Sequence, residues 1–372
     1  MALIFTEEQK LLQQTVRDFA ENEIRPRIKE IETSHDKFIP RDLYKRMGEL
    51  GFFKTYVPKE YGGLGLGATE ACIITEELSK VSPTFGLVLM CVMPGAMFLT
   101  TNEHTQKYLE PVMNGDMVMN GGVTAPEGHT NVSEWSILAR RKDNGWVLNG
   151  GHLFNTNNTA VDLHKAVGLC DDGKMRAFLF EGTAEGYEHS TPEFKFGMVS
   201  SGGTSTYKDL WVPDELTFPY SVGTSFFYYN LYVICPMIAL GGAEGLLAET
   251  IDWCKTRTKN FQPLNKMQAV GQKLAKLYTQ LTVCRTEFYD ACALLDNVDT
   301  RDEGCLKAQM SKAYVPAVSV EVCRECIKLF GGLGYHDVTK FHYLADALAA
   351  GIMDLPTDYH YEGVAKLLGI ME

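Results

Sequence analysis

The chain has 372 residues, of which 45% are hydrophobic and 22% charged, which is typical of a globular protein with two or three domains. Its formal net charge is -12, and this acidic balance disfavours nucleic acid and anionic membranes as partners. We find no apolar run long enough to cross a bilayer and no basic segment ahead of an apolar one at the N-terminus, so we expect a cytoplasmic protein without a membrane partner.

Ten cysteines in a chain of this length do not indicate a disulfide scaffold. Most of them lie in apolar helical patterns, where cysteine behaves as a small core residue. Cys323-Arg-Glu-Cys326 is a single C-x-x-C motif, which fits either a redox or metal pair or two core thiols. Because no second pair or histidine cluster accompanies it, we favour core thiols and expect no metal site.

Helical patterns dominate residues 1–117, the first predicted domain. Thr6 and Gln9 form a capping box ahead of apolar residues at helical spacing. A second helix is predicted to end at Gly51. The glycine loop Tyr61-Gly-Gly-Leu-Gly-Leu-Gly67 follows. It resembles a phosphate-binding loop, but no strand precedes it in a βαβ unit, so we interpret it as a connection.

Residues 118–222 form the second predicted domain, which consists of short runs rich in strand-forming residues. Asn144-Gly145 and Asp172-Gly173 lie between such runs and are typical of hairpin turns. The predicted strands alternate with turns and not with helices, which favours a small β-barrel or sandwich over a parallel dinucleotide-binding sheet. The predicted strands are Val118–Thr124, Ser136–Arg141, Trp146–Phe154, Lys165–Cys170, Met175–Phe180 and Tyr207–Pro213.

Residues 223–372 return to helical patterns and form the third predicted domain, a four-helix bundle. Apolar residues from Val270 to Leu295 recur every three or four positions or their multiples, which indicates one long amphipathic helix. Another is predicted over Gly304–Leu329. The expected fold class is therefore α+β and mostly α, with an N-terminal helical domain, a middle β domain and a C-terminal helical bundle.

The C-terminal stretch carries the two features that bear most directly on chemistry. The backbone around Gly331, Gly332 and Gly334 has no side chains to obstruct a phosphate or a sugar. Asp354 is set among apolar residues, so it is either a helix cap or a base whose pKa desolvation would raise. The local pattern leaves both alternatives open.

Five motifs follow one another along the helical, β and helical segments. They are Tyr61–Gly67, Val123-Thr-Ala-Pro-Glu-Gly-His-Thr-Asn131, Leu148-Asn-Gly-Gly-His-Leu-Phe-Asn-Thr156, Trp253-Cys-Lys-Thr-Arg257 and Lys328-Leu-Phe-Gly-Gly-Leu-Gly334. In sequence and in order these motifs resemble those of the acyl-CoA dehydrogenase flavoprotein family, and the resemblance runs over nearly the whole chain.

The resemblance implies an FAD-dependent oxidoreductase. It places the flavin ring against the backbone of Val123 and Thr124 and beside Phe154, and the pyrophosphate of a neighbouring subunit's FAD against Arg257. The glycine turn would hold the adenosine end of that FAD. The cofactor-binding residues implied are Val123, Thr124, Thr130, Phe154, Thr156, Arg257, Gln268, Lys328, Gly331 and Gly332. The implied partners are an acyl-CoA or other acyl thioester substrate, an electron-transfer flavoprotein, and copies of the chain in a homotetramer or homodimer.

The resemblance also implies a catalytic carboxylate, and spacing selects which one. Tyr361-Glu362-Gly363 matches the family's Tyr-Glu-Gly literally, but choosing Glu362 needs an insertion of about two helical turns. An ungapped alignment places Asp354 at the base position. The alternative base position on an earlier helix corresponds to Leu231. Asp354 would then remove the α-proton of an acyl thioester while flavin N5 takes the β-hydride, or act in the reverse enoyl reduction.

Departures from the family pattern leave other functions open. Family side chains are replaced at Ala125, Tyr232, Asn260, Lys328 and Leu355-Pro356. One alternative is a flavin oxidase related to nitroalkane oxidase, which uses an aspartate base. Its partner Arg would correspond to Tyr361, which disfavours it. The other is a non-catalytic family member that has lost FAD.

The acyl group is not readable from the sequence. Aromatic and methionine residues offer either a pocket lining or ordinary core. They are Tyr228, Tyr229, Tyr232, Met90, Met93 and Met97.

Overall fold

The computed structural model describes residues 5–33, 38–128, 135–191, 203–220, 226–353 and 355–371. Helices, then strands, then helices follow one another along the chain, as the sequence predicts. The domain boundaries at 117/118 and 222/223 stay predictions, although the first strand begins at Met119 and the first helix of the last segment at Phe226.

The first segment is helical, and its opening helix begins at the predicted capping box. Thr6 N–H donates to Gln9 Oε1 at 3.0 Å, and Gln9 N–H donates to Thr6 Oγ1 at 3.2 Å. These bonds satisfy two amides that a helix start otherwise leaves without partners. The helices are α1 Glu7–Phe19, α2 Ile28–Thr33, α3 Arg41–Glu49, α4 Ala68–Val81, α5 Pro83–Leu99 and α6 Leu109–Met113.

The middle segment is one sheet of eight strands with the spatial order β6-β7-β3-β2-β4-β5-β8, and β1 pairs with β4. The two predicted turns are confirmed, since β2–β3 and β4–β5 are antiparallel hairpins. The pairs β1–β4 and β2–β4 are parallel. The strands β6 and β8 were not predicted from the sequence. The strands are β1 Met119–Gly122, β2 Leu138–Lys142, β3 Gly145–Asn155, β4 Leu163–Cys170, β5 Met175–Glu181, β6 Tyr187–Ser190, β7 Gly203–Pro213 and β8 Thr217–Pro219.

The last segment is a bundle of long helices joined by short connections. The predicted amphipathic helices are confirmed as α8 and α9, and a two-stranded hairpin separates α7 from α8. The elements are α7 Phe226–Thr256, β9 Thr258–Lys259, β10 Gln262–Pro263, α8 Gln268–Asp296, α9 Arg301–Phe330, α10 Gly332–His336, α11 Val338–Ala350 and α12 Thr357–Leu367.

A buried charge cluster joins the first and last segments. Glu76 on α4 is fully buried and accepts hydrogen bonds from Arg285 at 2.9 Å, Lys80 at 2.6 Å and the Tyr289 hydroxyl at 2.5 Å. Burial opposes its ionisation, but the two cations hold the pKa of Glu76 at about 2. Burial and the charge of Glu76 raise the pKa of Glu244 on α7 to about 8. The cluster therefore keeps one carboxyl ionised and one protonated near neutral pH.

One expectation from the sequence is wrong. Tyr232–Thr256 is long and apolar enough to cross a membrane, whereas we expected no such run. Its most apolar window is 78% buried inside the protein, as expected of a helix at the centre of a bundle. The absence of a membrane partner and the cytoplasmic location stay predictions.

The C-x-x-C cysteines lie inside α9. Cys323 and Cys326 are both fully buried, and burial raises the pKa of Cys326 to about 12 and that of Cys323 well above its usual range. A reactive or ligating cysteine needs its thiolate, which burial disfavours here. Within the described ranges, no three His, Cys, Asp or Glu residues gather as a metal site would require.

Candidate functional site

One group of predicted cofactor residues lies where β1 ends beside β3. Val123 and Thr124 follow β1 directly, and the Leu153 N–H donates to the Thr124 carbonyl oxygen at 2.9 Å. This bond places Thr124 beside the segment that carries Phe154 and Thr156. The structure therefore brings together four residues that the sequence separates by about thirty positions.

Phe154 has the most unusual conformation in this group. Its φ is +58°, a region that residues other than glycine adopt at a cost of roughly 1 kcal/mol or more. It lies at a bulge where the pairing of β3 with β7 shifts between His152 and Asn155. The residue is 70% exposed, so its side chain is available to a planar ligand. Thr156, two residues later, is buried.

A second group lies at the end of α7 and α9. The Arg257 guanidinium is 5.7 Å from the ring centroid of Trp253, and that ring lies 5.5 Å from Phe330, the last residue of α9. These two contacts place exposed Arg257 near the turn that begins at Gly331. Residues from two distant motifs therefore form one surface.

The glycine turn has the open backbone that the sequence predicts. Gly331 has φ +68° and ψ -142°, which only glycine adopts readily. A Cβ at Gly331 or Gly332 would have no atom within 4 Å, whereas one at Gly334 would lie 2.7 Å from the Ile327 carbonyl oxygen. The first two glycines therefore leave space for a ligand, and the third is required by packing.

Lys328 and Gln268 are exposed at the same end of the bundle. Lys328 pairs with Glu325 at 2.7 Å, and Glu325 also pairs with Lys273 at 2.5 Å. Those two lysines, Lys273 first, lower the pKa of Glu325 to about 2. Gln268 is the first residue of α8. Their roles toward a cofactor stay predictions.

The loop between α11 and α12 is the predicted position of the base. Asp354 itself lies outside the described residues, and so does Thr130. Hydrogen bonds from α9 hold residues on both sides of position 354. Fully buried Lys312 donates from Nζ to the carbonyl oxygens of Ala350 at 2.8 Å and Leu355 at 3.2 Å. Leu355 is buried with φ +76°. The Thr357 N–H donates to the Gly351 carbonyl oxygen at 3.1 Å.

Glu362, the rival base, lies on α12. It pairs with Lys366 one turn later at 2.7 Å, and its side chain is 48% exposed. This is the geometry of a surface ion pair. Tyr232, which replaces a family arginine, is buried and packs edge-on against His360 at 4.7 Å. The side chain at position 231 is outside the described part of the chain.

The residues present fit an elongated flavin dinucleotide. An exposed aromatic face at Phe154 suits the ring system, while an exposed guanidinium at Arg257 and the open backbone of Gly331–Gly332 suit phosphate and sugar groups. The contacts of each group are local to its own segment of the chain. One site would therefore require both segments to face the same ligand.

Sequence reasoning missed two buried polar features next to these groups. One is Lys312 beneath the loop of position 354. The other is a set of histidines, tyrosines and asparagines inside the β domain. A lysine at an apolar helical position and histidines at inward-facing strand positions were the available signals.

Two family models match the chain. The acyl-CoA dehydrogenase N-terminal domain matches residues 6–116, and the acyl-CoA dehydrogenase C-terminal domain matches residues 230–368. The curated relatives agree. A short-chain specific acyl-CoA dehydrogenase of Clostridium acetobutylicum is 30% identical, with 89% of each chain covered. The 3-(aryl)acrylate reductase of Clostridium sporogenes is 27% identical, with 90% of each covered.

A third relative, subunit CarC of the caffeyl-CoA reductase–Etf complex of Acetobacterium woodii, is 27% identical with 90% of each chain covered. Among solved structures, a chain from work on an electron transferring flavoprotein of Acidaminococcus fermentans has a TM-score of 0.88, 28% identity and 99% coverage of both chains. Butyryl-CoA dehydrogenase of Megasphaera elsdenii has the same fold, with a TM-score of 0.88, 24% identity, and 99% and 100% coverage.

The chain belongs to the acyl-CoA dehydrogenase family. It is a flavin-dependent oxidoreductase that acts on CH–CH groups of acyl thioesters, by dehydrogenation or by the reverse reduction. The expected fold and family are thereby confirmed.

Proposed function

We propose that this protein binds FAD between its β domain and a neighbouring subunit's helical bundle, and interconverts an acyl-CoA with its α,β-unsaturated form. The isoalloxazine ring would lie on the group formed by Val123, Thr124, Phe154 and Thr156. Arg257 and the Gly331–Gly332 turn would hold the pyrophosphate and adenosine ends. Thr130, Gln268 and Lys328 complete the proposed cofactor contacts.

The observation that carries this proposal is that one group lies in the β domain and the other in the helical bundle, each held by contacts within its own segment. Thr124 contacts β3 through Leu153, and Arg257 contacts α9 through Trp253 and Phe330. Each group is suited to one end of FAD and exposes its ligand-facing part. A dinucleotide shared across a subunit boundary unites both groups.

The hairpin next to Arg257 supports a shared site. β9 and β10 pair around Asn260 and Phe261, which have φ of +52° and +60°. Phe261 is fully exposed. A large apolar side chain on a strained hairpin tip favours burial against another chain. We infer a homotetramer or homodimer.

Asp354 is the proposed catalytic base. When bound, FAD supplies the acceptor for the hydride from the substrate β-carbon, or the donor in the reduction. Asp354 would take the α-proton as the Cα=Cβ bond forms, or return it in the reduction. Lys312 fixes the two carbonyl groups of Ala350 and Leu355 that flank the base position. It thereby limits where a carboxylate one methylene shorter than glutamate comes to lie.

An electron-transfer flavoprotein is the proposed redox partner. The CarC relative is named as part of a complex with Etf, and the Acidaminococcus neighbour comes from work on an electron transferring flavoprotein. Both acyl-CoA dehydrogenases and reductases occur among the relatives, so either direction suits the proposal. Adding an electron-transfer flavoprotein to substrate-reduced protein should reoxidise it faster than air does. Fast reoxidation by air alone would favour the oxidase.

The decisive experiment is an absorbance spectrum of the purified protein, followed by anaerobic titration with short-chain, branched and aryl acyl-CoA thioesters. We expect a visible flavin absorbance band that bleaches with a subset of the panel. A protein that neither contains FAD nor is stabilised by it contradicts the proposal and supports the non-catalytic alternative.

Matched carboxylate variants test the base. Asp354→Asn should keep bound FAD and lose about 10³-fold or more of turnover, because the α-proton has no acceptor. Glu362→Gln removes only a surface ion pair and should retain activity. Loss of activity in Glu362→Gln with retention in Asp354→Asn would reverse the assignment.

A further inference from the structure

The interior of the β domain contains a buried polar network where a sheet core is usually apolar. Its members come from β1, β3, β4, β6, β7 and the turn after β3, and each is at most 8% exposed. They are Asn120, His152, Asn155, Asn158, His164, Tyr187, Ser205 and Tyr207. Buried polar groups are costly unless they are hydrogen-bonded. A group of this size therefore requires a connected network of hydrogen bonds.

Tyr207 is the centre of this network. Its hydroxyl lies 2.8 Å from Nδ1 of His152 and 2.7 Å from Nε2 of His164. The other nitrogen of His164, Nδ1, is hydrogen-bonded to Asn120 Oδ1. Asn120 Nδ2 donates to Asn158 Oδ1 at 3.0 Å. The four side chains up to Asn120 therefore form one continuous chain of hydrogen bonds that ends on Asn158.

A backbone carbonyl determines the direction of the protons in this chain. Asn158 Nδ2 donates to the Thr204 carbonyl oxygen at 2.9 Å, so the amide oxygen of Asn158 must face Asn120. The Ser205 hydroxyl also donates to that oxygen, at 3.0 Å. Asn120 consequently presents its NH₂ group to Asn158 and its oxygen to His164.

The histidine tautomers follow from that orientation. The oxygen of Asn120 only accepts, so Nδ1 of His164 carries a hydrogen. Burial, with His152 nearby, holds the pKa of His164 well below its usual range, so the ring is neutral and its Nε2 is an acceptor. Tyr207 donates to that nitrogen, and its oxygen accepts from Nδ1–H of His152. All the protons therefore point from His152 toward Asn120.

The His152 end of the hydrogen-bond chain lies next to the residues proposed to contact the flavin ring. A Cβ on Gly122, the last residue of β1, would lie 2.7 Å from Nδ1 of His152. The residue after His152 is Leu153, which bonds to Thr124. From the other side, Asn155 donates to Ser205 Oγ at 2.6 Å. These contacts flank Phe154 on both sides along β3.

We propose that Tyr207 is a positioning residue for the flavin. Through its hydrogen bonds to His152 and His164 it holds the segment where β1 ends beside β3 in the conformation that binds the flavin. This inference rests on the proposed function. Phe154 has a left-handed φ, and such a conformation persists only where the surroundings hold it. The directional chain supplies that restraint from the interior of the sheet.

The test compares two buried tyrosine hydroxyls in the full chain. Tyr207→Phe removes the bridge between the two imidazoles. Tyr343→Phe removes a hydroxyl that donates to the Val81 carbonyl oxygen at 2.8 Å in the helical part. The measurements are FAD affinity by fluorescence titration of the apoprotein, the flavin reduction potential, and the melting temperature without FAD.

Tyr207→Phe should weaken FAD binding at least tenfold and shift the reduction potential, while Tyr343→Phe should keep both near wild-type values despite a similar loss in melting temperature. Equal FAD affinities and potentials in the two variants would overturn the inference. Wild-type protein that binds no FAD would instead overturn the proposed function.

A second pair of variants keeps the test decisive if Tyr207→Phe does not fold. His152→Asn retains a donor near the position of Nδ1, whereas His152→Leu does not. We expect FAD affinity within threefold of wild type for the first and at least a tenfold loss for the second. Nitrogen-15 NMR of labelled histidine should show the Nδ1–H tautomer at positions 152 and 164. An Nε2–H tautomer at His164 would contradict the direction of the chain.

Discussion

The side-chain nitrogen of Lys312 donates a hydrogen bond of 2.8 Å to the carbonyl oxygen of Ala350, the last residue of α11. The same nitrogen reaches the Leu355 carbonyl oxygen at 3.2 Å. One fully buried side chain on α9 therefore joins both ends of the loop that contains position 354. The two ends of this loop are therefore joined through a residue about forty positions earlier in the chain.

Lys312→Met should remove both bonds and leave the Ala350 carbonyl oxygen with only the weak thiol donor of Cys235 at 3.6 Å. Each loss costs about 1–3 kcal/mol when the group is buried, so we expect the free energy of unfolding in urea to fall by roughly 2–4 kcal/mol. Turnover should fall more than FAD affinity, because the loop carries the proposed base at position 354. Lys366→Met, on the exposed pair with Glu362, is the control and should leave both unchanged. Unaltered turnover in a folded Lys312→Met protein would show that Lys312 does not help to position the base.

Gly331→Ala and Gly332→Ala should differ in stability but agree in FAD affinity. Gly331 has φ +68°, so alanine there should lower the free energy of unfolding by about 1–3 kcal/mol. Gly332 has open space around a Cβ, so alanine there should leave stability unchanged. Both should weaken FAD binding if the adenosine end approaches this backbone. Wild-type FAD affinity in both variants would place the adenosine elsewhere.

Arg257→Lys should weaken FAD binding by roughly 10–100-fold, about 1.4–2.7 kcal/mol. Lysine keeps the charge but loses the planar fork that binds a pyrophosphate in two places. Lys255→Met, two residues earlier on the pair with Asp252, is the control and should bind FAD normally. Fluorescence titration of the apoproteins measures both. If the two variants match the wild type, Arg257 does not contact the cofactor.

Stability should fall in mild acid because of His164. Its folded pKa is well below its usual value, first through burial and then through His152, His189 and Lys165. Below an unfolded pKa of about 6.5 the unfolded chain takes up a proton that the folded chain excludes. The free energy of unfolding should therefore drop by up to about 1.4 kcal/mol per pH unit, from pH 6.5 down to the folded pKa. The free energy of unfolding, measured by urea titration at each pH from 5 to 8, should depend less steeply on pH in His164→Gln than in the wild type. In exposed His104→Gln this pH dependence should be the same as in the wild type.

Glu244→Gln and Glu76→Gln should change stability in opposite directions. Because the folded pKa of Glu244 is about 8 and its unfolded value is about 4.3, the folded chain retains a proton that the unfolded chain loses between them. Stability thus declines as pH rises through that window, and Glu244→Gln should raise the melting temperature most at pH 8 and above. Glu76→Gln removes the carboxylate that binds Arg285 at 2.9 Å and Lys80 at 2.6 Å, although Lys80 keeps Glu77 at 2.9 Å, and should cost up to about 3–5 kcal/mol. Equal effects at pH 8.5 would contradict the assignment of charges.

The elements with strong local patterns were predicted well. The capping box of Thr6, the turns at Asn144-Gly145 and Asp172-Gly173, and the long helix over Val270–Leu295 all occur as expected. Each depends on residues within a few positions of one another. Two of the missed elements, β6 and β8, lack such patterns, because strands at the edges of a sheet owe their formation to a partner strand.

The candidate site divides in the same way. The motifs located Arg257 and the glycine turn separately, and the structure added the contact through Trp253 and Phe330 that brings them together. Lys312 and Tyr207 belonged to no motif. Their importance comes from carbonyl and imidazole groups that only folding brings within hydrogen-bonding distance.

The sequence by itself determined the family, the order of helices and strands, and the open backbone at Gly331, because these depend on local periodicity and on residue types that suit one conformation. Only the tertiary structure decided which residues share a surface and which protons point toward which acceptors. Hydrogen bonds such as those of Tyr207 require contacts within about 3 Å. Residues from different strands reach that distance only once the whole sheet has formed.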